Sequence, residues 1–223
     1  MVGRVAVNAY ILHCASPNAD ALLKETLCSL IEGDYETEIK VVCNGIEVPW
    51  LADEDTIQLR RNEGVSRGYN SAFNHSMGAR PDYVLLLNND IRIGKEMVSH
   101  LVRTAEADPT IGIVSPVIYY YGTRRIWFRG GSFNPWTGVT RHEGIRKIGA
   151  RPKLTETEYA TGCCMLIRRR VIETVGFFDE AFSPAYCEDT DYSYRTRQAG
   201  FKIMVQPKAI MWHKVSQSTG ILK

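Results

Sequence analysis

The 223-residue chain lacks any uninterrupted apolar run near the ~20 residues that a bilayer-crossing helix needs; its longest, such as Val84-Leu85-Leu86-Leu87, span a handful of positions. It also lacks a C-x-x-C pair: its six cysteines (Cys14, Cys28, Cys43, Cys163, Cys164 and Cys187) are few and scattered. That excludes a zinc ribbon, a thioredoxin-like centre and a disulfide scaffold, and leaves reduced thiols in a cytosolic setting. Neither the G-x-G-x-x-G fingerprint nor a P-loop occurs, which argues against a nicotinamide-dependent dehydrogenase and a P-loop enzyme. Nor does one sign of charge dominate. With 27 Lys and Arg against 25 Asp and Glu, the net charge is +2, and nothing in it suggests a chain dedicated to coating nucleic acid. Internal repeats and low-complexity tracts are absent.

What is present is an ordinary globular composition, 44% hydrophobic and 23% charged, which excludes a disordered tail or a fibre. A chain this long buries roughly 70% of its unfolded surface and needs no staples. Residues 5–12 could pass for a secretory h-region, but a single preceding Arg, the polar Asn8 and the β-rich composition favour a first strand. The expectation is a cytoplasmic protein, soluble or peripheral to a membrane.

Strand and helix signals alternate over the first ~120 residues. After the strand at 5–12, Asn18 or Asp20 caps a helix running to about residue 31, with Leu22, Leu23, Leu27 and Leu30 on one face. Residues 39–43 form a strand ended by Asn44-Gly45, and residues 56–59 a short third one. Ser66 caps a helix to about residue 79, broken at Arg80-Pro81-Asp82. The unalternating run 83–87 reads as a central strand covered on both faces. A helix over 95–107 and a strand over 111–114 follow. This order predicts an α/β fold with a doubly wound, mostly parallel sheet and helices on both faces.

The second half adds a smaller β portion. Strand-like pieces lie at 126–129 and 138–141, then a basic stretch, 141–153, with Arg141, Arg146, Lys147, Arg151 and Lys153 against Glu143, reads as a mobile loop. A strand at 163–167, helices at 169–175 and 189–198, and a strand at 203–212 close the chain. One domain is expected, with a nucleotide half over about 1–120 and an acceptor half over about 121–223.

Four clusters bear chemistry. Asn88-Asn89-Asp90 follows the central strand, where open α/β sheets bind ligands, and a carboxylate there suits a hard divalent cation; the same triplet is also ordinary turn chemistry. Glu188-Asp189-x-Asp191 packs three carboxylates at a helix start, either as caps or with one as a general base. His213 ends the last strand, as a structural residue or a metal ligand. Asn62-x-Gly64-x-x-x-Gly68-x-Asn70 enters a helix whose N-terminus, with Arg67, suits a diphosphate.

Taken in order, these clusters resemble the family 2 glycosyltransferases of the GT-A fold, particularly the rhamnosyltransferase-like branch. The resemblance runs from about residue 39 to 220. It rests on Val41-Val42-Cys43-Asn44-Gly45, Asn62-Glu63-Gly64-Val65-Ser66-Arg67-Gly68-Tyr69-Asn70, Leu87-Asn88-Asn89-Asp90, the 161–168 segment Thr-Gly-Cys-Cys-Met-Leu-Ile-Arg, Gly176-Phe177-Phe178-Asp179-Glu180, Glu188-Asp189-Thr190-Asp191, and His213 with Ser218 and Gly220. It implies an inverting transfer from a nucleotide-diphosphate sugar to an acceptor hydroxyl. Asp90 would end the family's D-x-D-type element and, with His213, hold Mn²⁺ or Mg²⁺. Asp189 would be the base, with Glu188 beside it. Asn44, Asn62, Arg67, Asn70, Asn88 and Asn89 would border the nucleotide, and Thr161, Gly162 and Asp191 the sugar pocket.

The pattern departs at one place: where the family usually carries an Asp that binds the nucleobase, this chain has Cys43. The first strand also lacks the usual Tyr-Asn ending. A non-catalytic nucleotide-sugar or partner-binding relic of the fold is therefore the alternative. A nucleotidyl transferase would need a Gly-rich basic signature that residues 1–20 lack. Acceptors compatible with the sequence are a glycan, a lipid-linked glycan, a protein or a small molecule. Arg168-Arg169-Arg170 and the basic loop admit nucleic acid as a lesser alternative. Many relatives continue past the position of His213 with helices over the acceptor or on a membrane, so an open site or a homo-oligomer supplying a wall is a further expectation.

Overall fold

A run of buried apolar residues at the start of the chain sets the frame. In a computed structural model, which describes residues 5–134, 136–148 and 153–215, β1 (Val7–Cys14) is buried almost throughout and lies centrally in a ten-stranded sheet. Arg151, Ser218 and Gly220 lie outside the described residues. The first half continues with α1 (Ala19–Ile31), β2 (Glu38–Asn44), β3 (Thr56–Leu59), α2 (Gly64–Ala79), β4 (Tyr83–Asn88), β5 (Ile91–Ile93), α3 (Met97–Ala107) and β6 (Ile111–Tyr120). The second half adds β7 (Ile126–Phe128), β8 (Gly131–Asn134), β9 (Val139–His142), β10 (Thr155–Glu156), β11 (Cys164–Arg168), α4 (Arg169–Val175), α5 (Glu188–Gln198) and β12 (Lys202–His213).

The strand order is β10-β12-β6-β11-β4-β1-β2-β3, with β5 on β12 and β7 on β6; β8 and β9 form a separate hairpin. β3, β2, β1 and β4 pair in parallel, as do β6 and β12, and β11 runs antiparallel between β4 and β6. The long strands apart from β11 thus share one direction, as expected of a mostly parallel sheet.

Strand alternation sorts the apolar residues into two cores. Val7, Ala9, Ile11, Leu85 and Leu87 face α1 and α3, whose Leu23, Leu27, Leu30, Met97 and Leu101 cover them. Tyr10, Leu12, Val84 and Leu86 face the other way, onto Tyr69 and Phe73 of α2, Val171 and Ile172 of α4, and Tyr192 of α5. Helices therefore cover both faces, and β4 is buried because neither of its faces meets water.

Several local expectations shift. β1 begins and ends two residues later than the pattern suggested. Neither Asn18 nor Asp20 makes a capping hydrogen bond to α1, although Asn18 holds the cap position. α2 starts at Gly64, ahead of Ser66, because φ +85° at Gly64 permits a turn that a side chain would block: a Cβ there would lie 2.7 Å from the Pro184 carbonyl oxygen. The stretch after β9, expected to be mobile, is pinned as far as residue 147. Glu143 N–H donates to Gly130 O, Arg146 N–H to Ile126 O and Ile126 N–H to Lys147 O.

Candidate active site

Sheet register brings the two distant candidate ligands together. After β4 the chain turns through Asn89-Asp90 into β5, which runs antiparallel to the end of β12 with Ile91 opposite His213. Lys214 N–H donates to the Asp90 carbonyl at 2.9 Å. Asp90 Oδ1 then lies 3.2 Å from His213 Nε2, with the Asp90 residue 1% exposed. An ionised carboxylate this buried needs positive charge beside it, from an imidazolium or a cation. Among the described residues no three His, Cys, Asp or Glu side chains converge as a metal cluster. The donor pair itself, one carboxylate oxygen and one imidazole nitrogen, fits Mn²⁺ or Mg²⁺ provided substrate phosphates and water complete the shell.

The residues before Asp90 diverge as strand ends do. Asn88 meets Tyr69 Oη at 2.9 Å, and Tyr69 O–H donates to Gly162 O at 2.8 Å. The Tyr69 O–H is thus the donor to two oxygens, Asn88 Oδ1 and the Gly162 carbonyl. Asn89 points away, to Nδ1 of the fully buried His13 at 2.8 Å. That imidazole is held below its ordinary pKa by burial.

The acidic pair sits at the first turn of α5. Tyr186 and Cys187, both non-glycine, adopt φ +82° and +72°, a sharp left-handed turn that leads straight into Glu188. Asp189 Oδ2 accepts from Gly162 N–H at 2.8 Å and its Oδ1 from Thr190 N–H at 2.7 Å. Burial raises the Asp189 pKa, and these N–H groups oppose that rise. The carboxylate is thus held in one orientation, half-buried, with lone pairs left for a substrate. Glu188 is buried, its Oε2 has no hydrogen-bond partner, and burial, then Asp189, push its pKa up to about 7.

Asn88, Asp90, Thr161, Gly162, Glu188, Asp189 and His213 all line one cavity of about 390 Å³. A smaller groove of about 180 Å³ is lined by Asn62, Asn88 and Asn89 with Leu12 and Cys14, and shares Val65, Asn88 and Ala185 with the first. Asn88 stands where the two join. The cavity also has a wall that motif reasoning missed: Trp127, Thr140, His142 and Tyr159. Trp127 stands edge-on to His213 at 4.5 Å and to His142 at 5.0 Å between ring centroids. Alternation was the available signal. Trp127 is the half-buried middle residue of β7, and Thr140 and His142 share one face of β9.

Other expected site residues are tied into the scaffold and line neither space. Asn44 is fully buried and donates to Asn62 Oδ1 (3.1 Å) and Gly64 O (3.0 Å) while accepting from Glu63 N–H (2.8 Å). Asn70 clamps both backbone groups of Phe178, at 2.9 and 3.0 Å. Arg67 is taken by Glu63 (3.0 Å) and Glu180 (2.8 Å). At the start of α2, Gly64 N–H already donates to Asn62 and Val65 N–H to Pro184, so the diphosphate cradle expected at this helix end is engaged internally. Asp191 pairs with Arg195 at 2.8 Å, which in turn holds the carbonyls of Val175 and Phe177. Cys43 faces the α1-side core, fully buried, with its thiol pushed up to about 11 by burial.

Glu188 carries a testable pH signature. A carboxyl raised from 4.5 to about 7 favours folding fully below pH 4.5, and that advantage is lost as pH climbs through 7, by roughly 3 kcal/mol for this shift. Glu188→Gln should therefore match the parent's urea midpoint near pH 4.5 and exceed it near pH 8.5. Parallel pH profiles for the two proteins would show that Glu188 titrates normally.

Comparisons with known proteins bear on the family and the fold. The family model described as Glycosyl transferase family 2 matches residues 16–176. The chain is 28% identical over 186 residues to the N-acetylglucosaminyl-diphospho-decaprenol L-rhamnosyltransferase of Mycobacterium tuberculosis, covering 70% of this chain and 59% of that protein. It is 31% identical over 166 residues to the low-salt glycan biosynthesis hexosyltransferase Agl10 of Haloferax volcanii, covering 69% and 50%. The chain therefore spans little more than half the length of these relatives. Among solved structures, GalNAc-T7 with UDP, GalNAc and Mn²⁺ superposes with a TM-score of 0.70 at 15% identity, over 94% of this chain and 44% of that one. The architecture is the GT-A fold, and the chain belongs to glycosyl transferase family 2.

Proposed function

We propose that this chain is an inverting glycosyltransferase that moves a hexosyl or deoxyhexosyl group from a nucleotide-diphosphate donor to an acceptor hydroxyl. The observation that carries the reading is the meeting of Asp90–His213 and Glu188–Asp189 in one cavity. Asp90 and His213 would hold Mn²⁺ or Mg²⁺, which when bound would offset negative charge on the diphosphate leaving group. Asp189 accepts the proton of the acceptor hydroxyl as its oxygen bonds to the anomeric carbon and the bond from that carbon to the diphosphate oxygen breaks. Gly162 and Thr190 N–H groups fix the carboxylate for that role. Glu188 contacts the acceptor, and Trp127 offers an aromatic wall to a sugar ring.

The nucleotide occupies the smaller groove, so the first ~120 residues serve the donor and the remainder supply the acceptor side and the base. With Cys43 turned into the core, base recognition falls to groove residues such as Asn62, which lines that space. The named relatives act on a lipid-diphosphate-linked sugar and in glycan biosynthesis, which favours a glycan or lipid-linked glycan acceptor over a protein or small molecule.

Calorimetric titration with UDP, dTDP, GDP and CDP, each with and without Mn²⁺, tests this. One nucleotide should bind tightly and only with the metal. Tight binding without any turnover would favour a binding relic, and the absence of metal-dependent binding to all four would overturn the reading.

A further inference from the structure

Basic charge and several of the exposed apolar residues of this chain collect on the β8–β9 hairpin and its surroundings. The described residues between 124 and 153 carry seven Lys or Arg and one carboxylate, Glu143, although the whole chain is only +2. The remainder is therefore net acidic. The turn of the hairpin projects Trp136, which is 94% exposed, and Val139 beside it is half exposed. Ile145 and Ile148 follow, also exposed, in the strip held against β7.

This turn is a built feature. Asn134 Oδ1 accepts from Trp136 N–H at 2.9 Å, and Asn134 O accepts from Gly138 N–H at 2.8 Å, so the indole projects from a fixed base. Phe133 stacks edge-on against Tyr194 of α5 at 6.1 Å, which ties the hairpin to the helix that carries Asp189. The two faces of β9 differ in kind. Thr140 and His142 line the active-site cavity, whereas Val139 and Arg141 line an outer depression with Trp136.

We infer that the β8–β9 hairpin and the basic strip after it dock on an anionic lipid bilayer, with Trp136 seated at the headgroup level. An indole is amphipathic and favours the boundary between hydrocarbon and water. Lys and Arg beside it are drawn to anionic headgroups. A soluble polyanion would answer the charge alone and leaves the projecting Trp136, Ile145 and Ile148 without a role. Docked this way, the cavity opens beside the membrane surface, because the same strand β9 serves both.

Co-sedimentation with vesicles tests the inference on the whole chain. Vesicles of phosphatidylcholine with phosphatidylglycerol should bind the protein, and phosphatidylcholine alone should not. Trp136→Ser should weaken that binding by about tenfold, and the double change Arg146→Glu, Lys147→Glu by more than about tenfold. Neither variant touches the cavity, so Mn²⁺-dependent nucleotide binding should stay at the parent level, which also reports intact folding. Failure to bind the anionic vesicles would overturn the inference, as would equal binding to both vesicle types. Binding lost on charge reversal but indifferent to Trp136→Ser, and matched by single-stranded nucleic acid, would assign the surface to a soluble polyanion instead. A parent protein that binds vesicles but no nucleotide would leave the docking standing and remove the transferase reading.

Discussion

Asp189→Asn should lower the rate of sugar transfer by about 10²–10⁴-fold, the usual contribution of a positioned base, while nucleotide-sugar affinity is retained. The side chain keeps its size, but the amide cannot take a proton. The change has a structural cost as well. Asp189 accepts from Gly162 N–H and Thr190 N–H on opposite oxygens, and an amide offers one oxygen only. One of those donors then faces an N–H₂ group, at about 1–3 kcal/mol. A thermal-unfolding curve separates that loss from the chemistry: the protein should remain folded at the assay temperature and bind donor. Transfer at the parent rate would remove Asp189 as the base and shift the assignment to Glu188, whose pKa near 7 also suits proton transfer.

Asp90→Ala should abolish the Mn²⁺-dependent part of nucleotide binding, leaving the affinity that the parent shows without metal. Two protein groups form the pair, and with Asp90 removed a lone imidazole is a poor site for a hard cation, which prefers oxygen. His213→Ala should weaken the metal effect less, since the carboxylate remains. Calorimetry at fixed Mn²⁺ reads both. A metal-dependent increment that survives Asp90→Ala would place the cation elsewhere and break the link between the β5–β12 register and catalysis.

Much of this architecture was legible in the sequence because burial on both faces writes an unmistakable run. Residues 83–87 read as a central strand, the helix to residue 31 shows its apolar spacing, and the helices read at 66–79 and 95–107 start within two residues of Gly64 and Met97. β5 was invisible because Ile91-Arg92-Ile93 is too short to show a period; it exists only because the end of β12 arrives to pair with it. The strand read at 111–114, β6, runs on to Tyr120 although Pro116 within it lacks the N–H of a central ladder. It continues because Pro116 pairs opposite Gln206, where β12 slips register between Gln206 and Ile210.

In the site, the residues at strand and helix ends were found from type and position, and Asp90, His213, Glu188 and Asp189 do share one cavity. Buried amides were harder to assign. Asn44 and Asn70 look like ligand-binding groups in a motif, yet each satisfies backbone groups that would otherwise be buried without partners. Side-chain type alone does not distinguish an amide that meets a ligand from one that closes a loop. The aromatic wall was missed for a related reason, since Trp127 and His142 belong to strands of three and four residues, too short to show a period.

The β5–β12 pairing also sets an order of events during synthesis. β1, β2, β3 and β4 form parallel units with local helical crossovers and can assemble as soon as they emerge. β12 comes last of the described strands, yet it must slot beside β6, cover that strand's open edge and deliver His213 to Asp90. Until it does, a nascent chain presents the unpaired edge of a long, apolar strand, the kind of surface that invites pairing with another chain. Competence for catalysis and protection from aggregation thus arrive together, with one late strand.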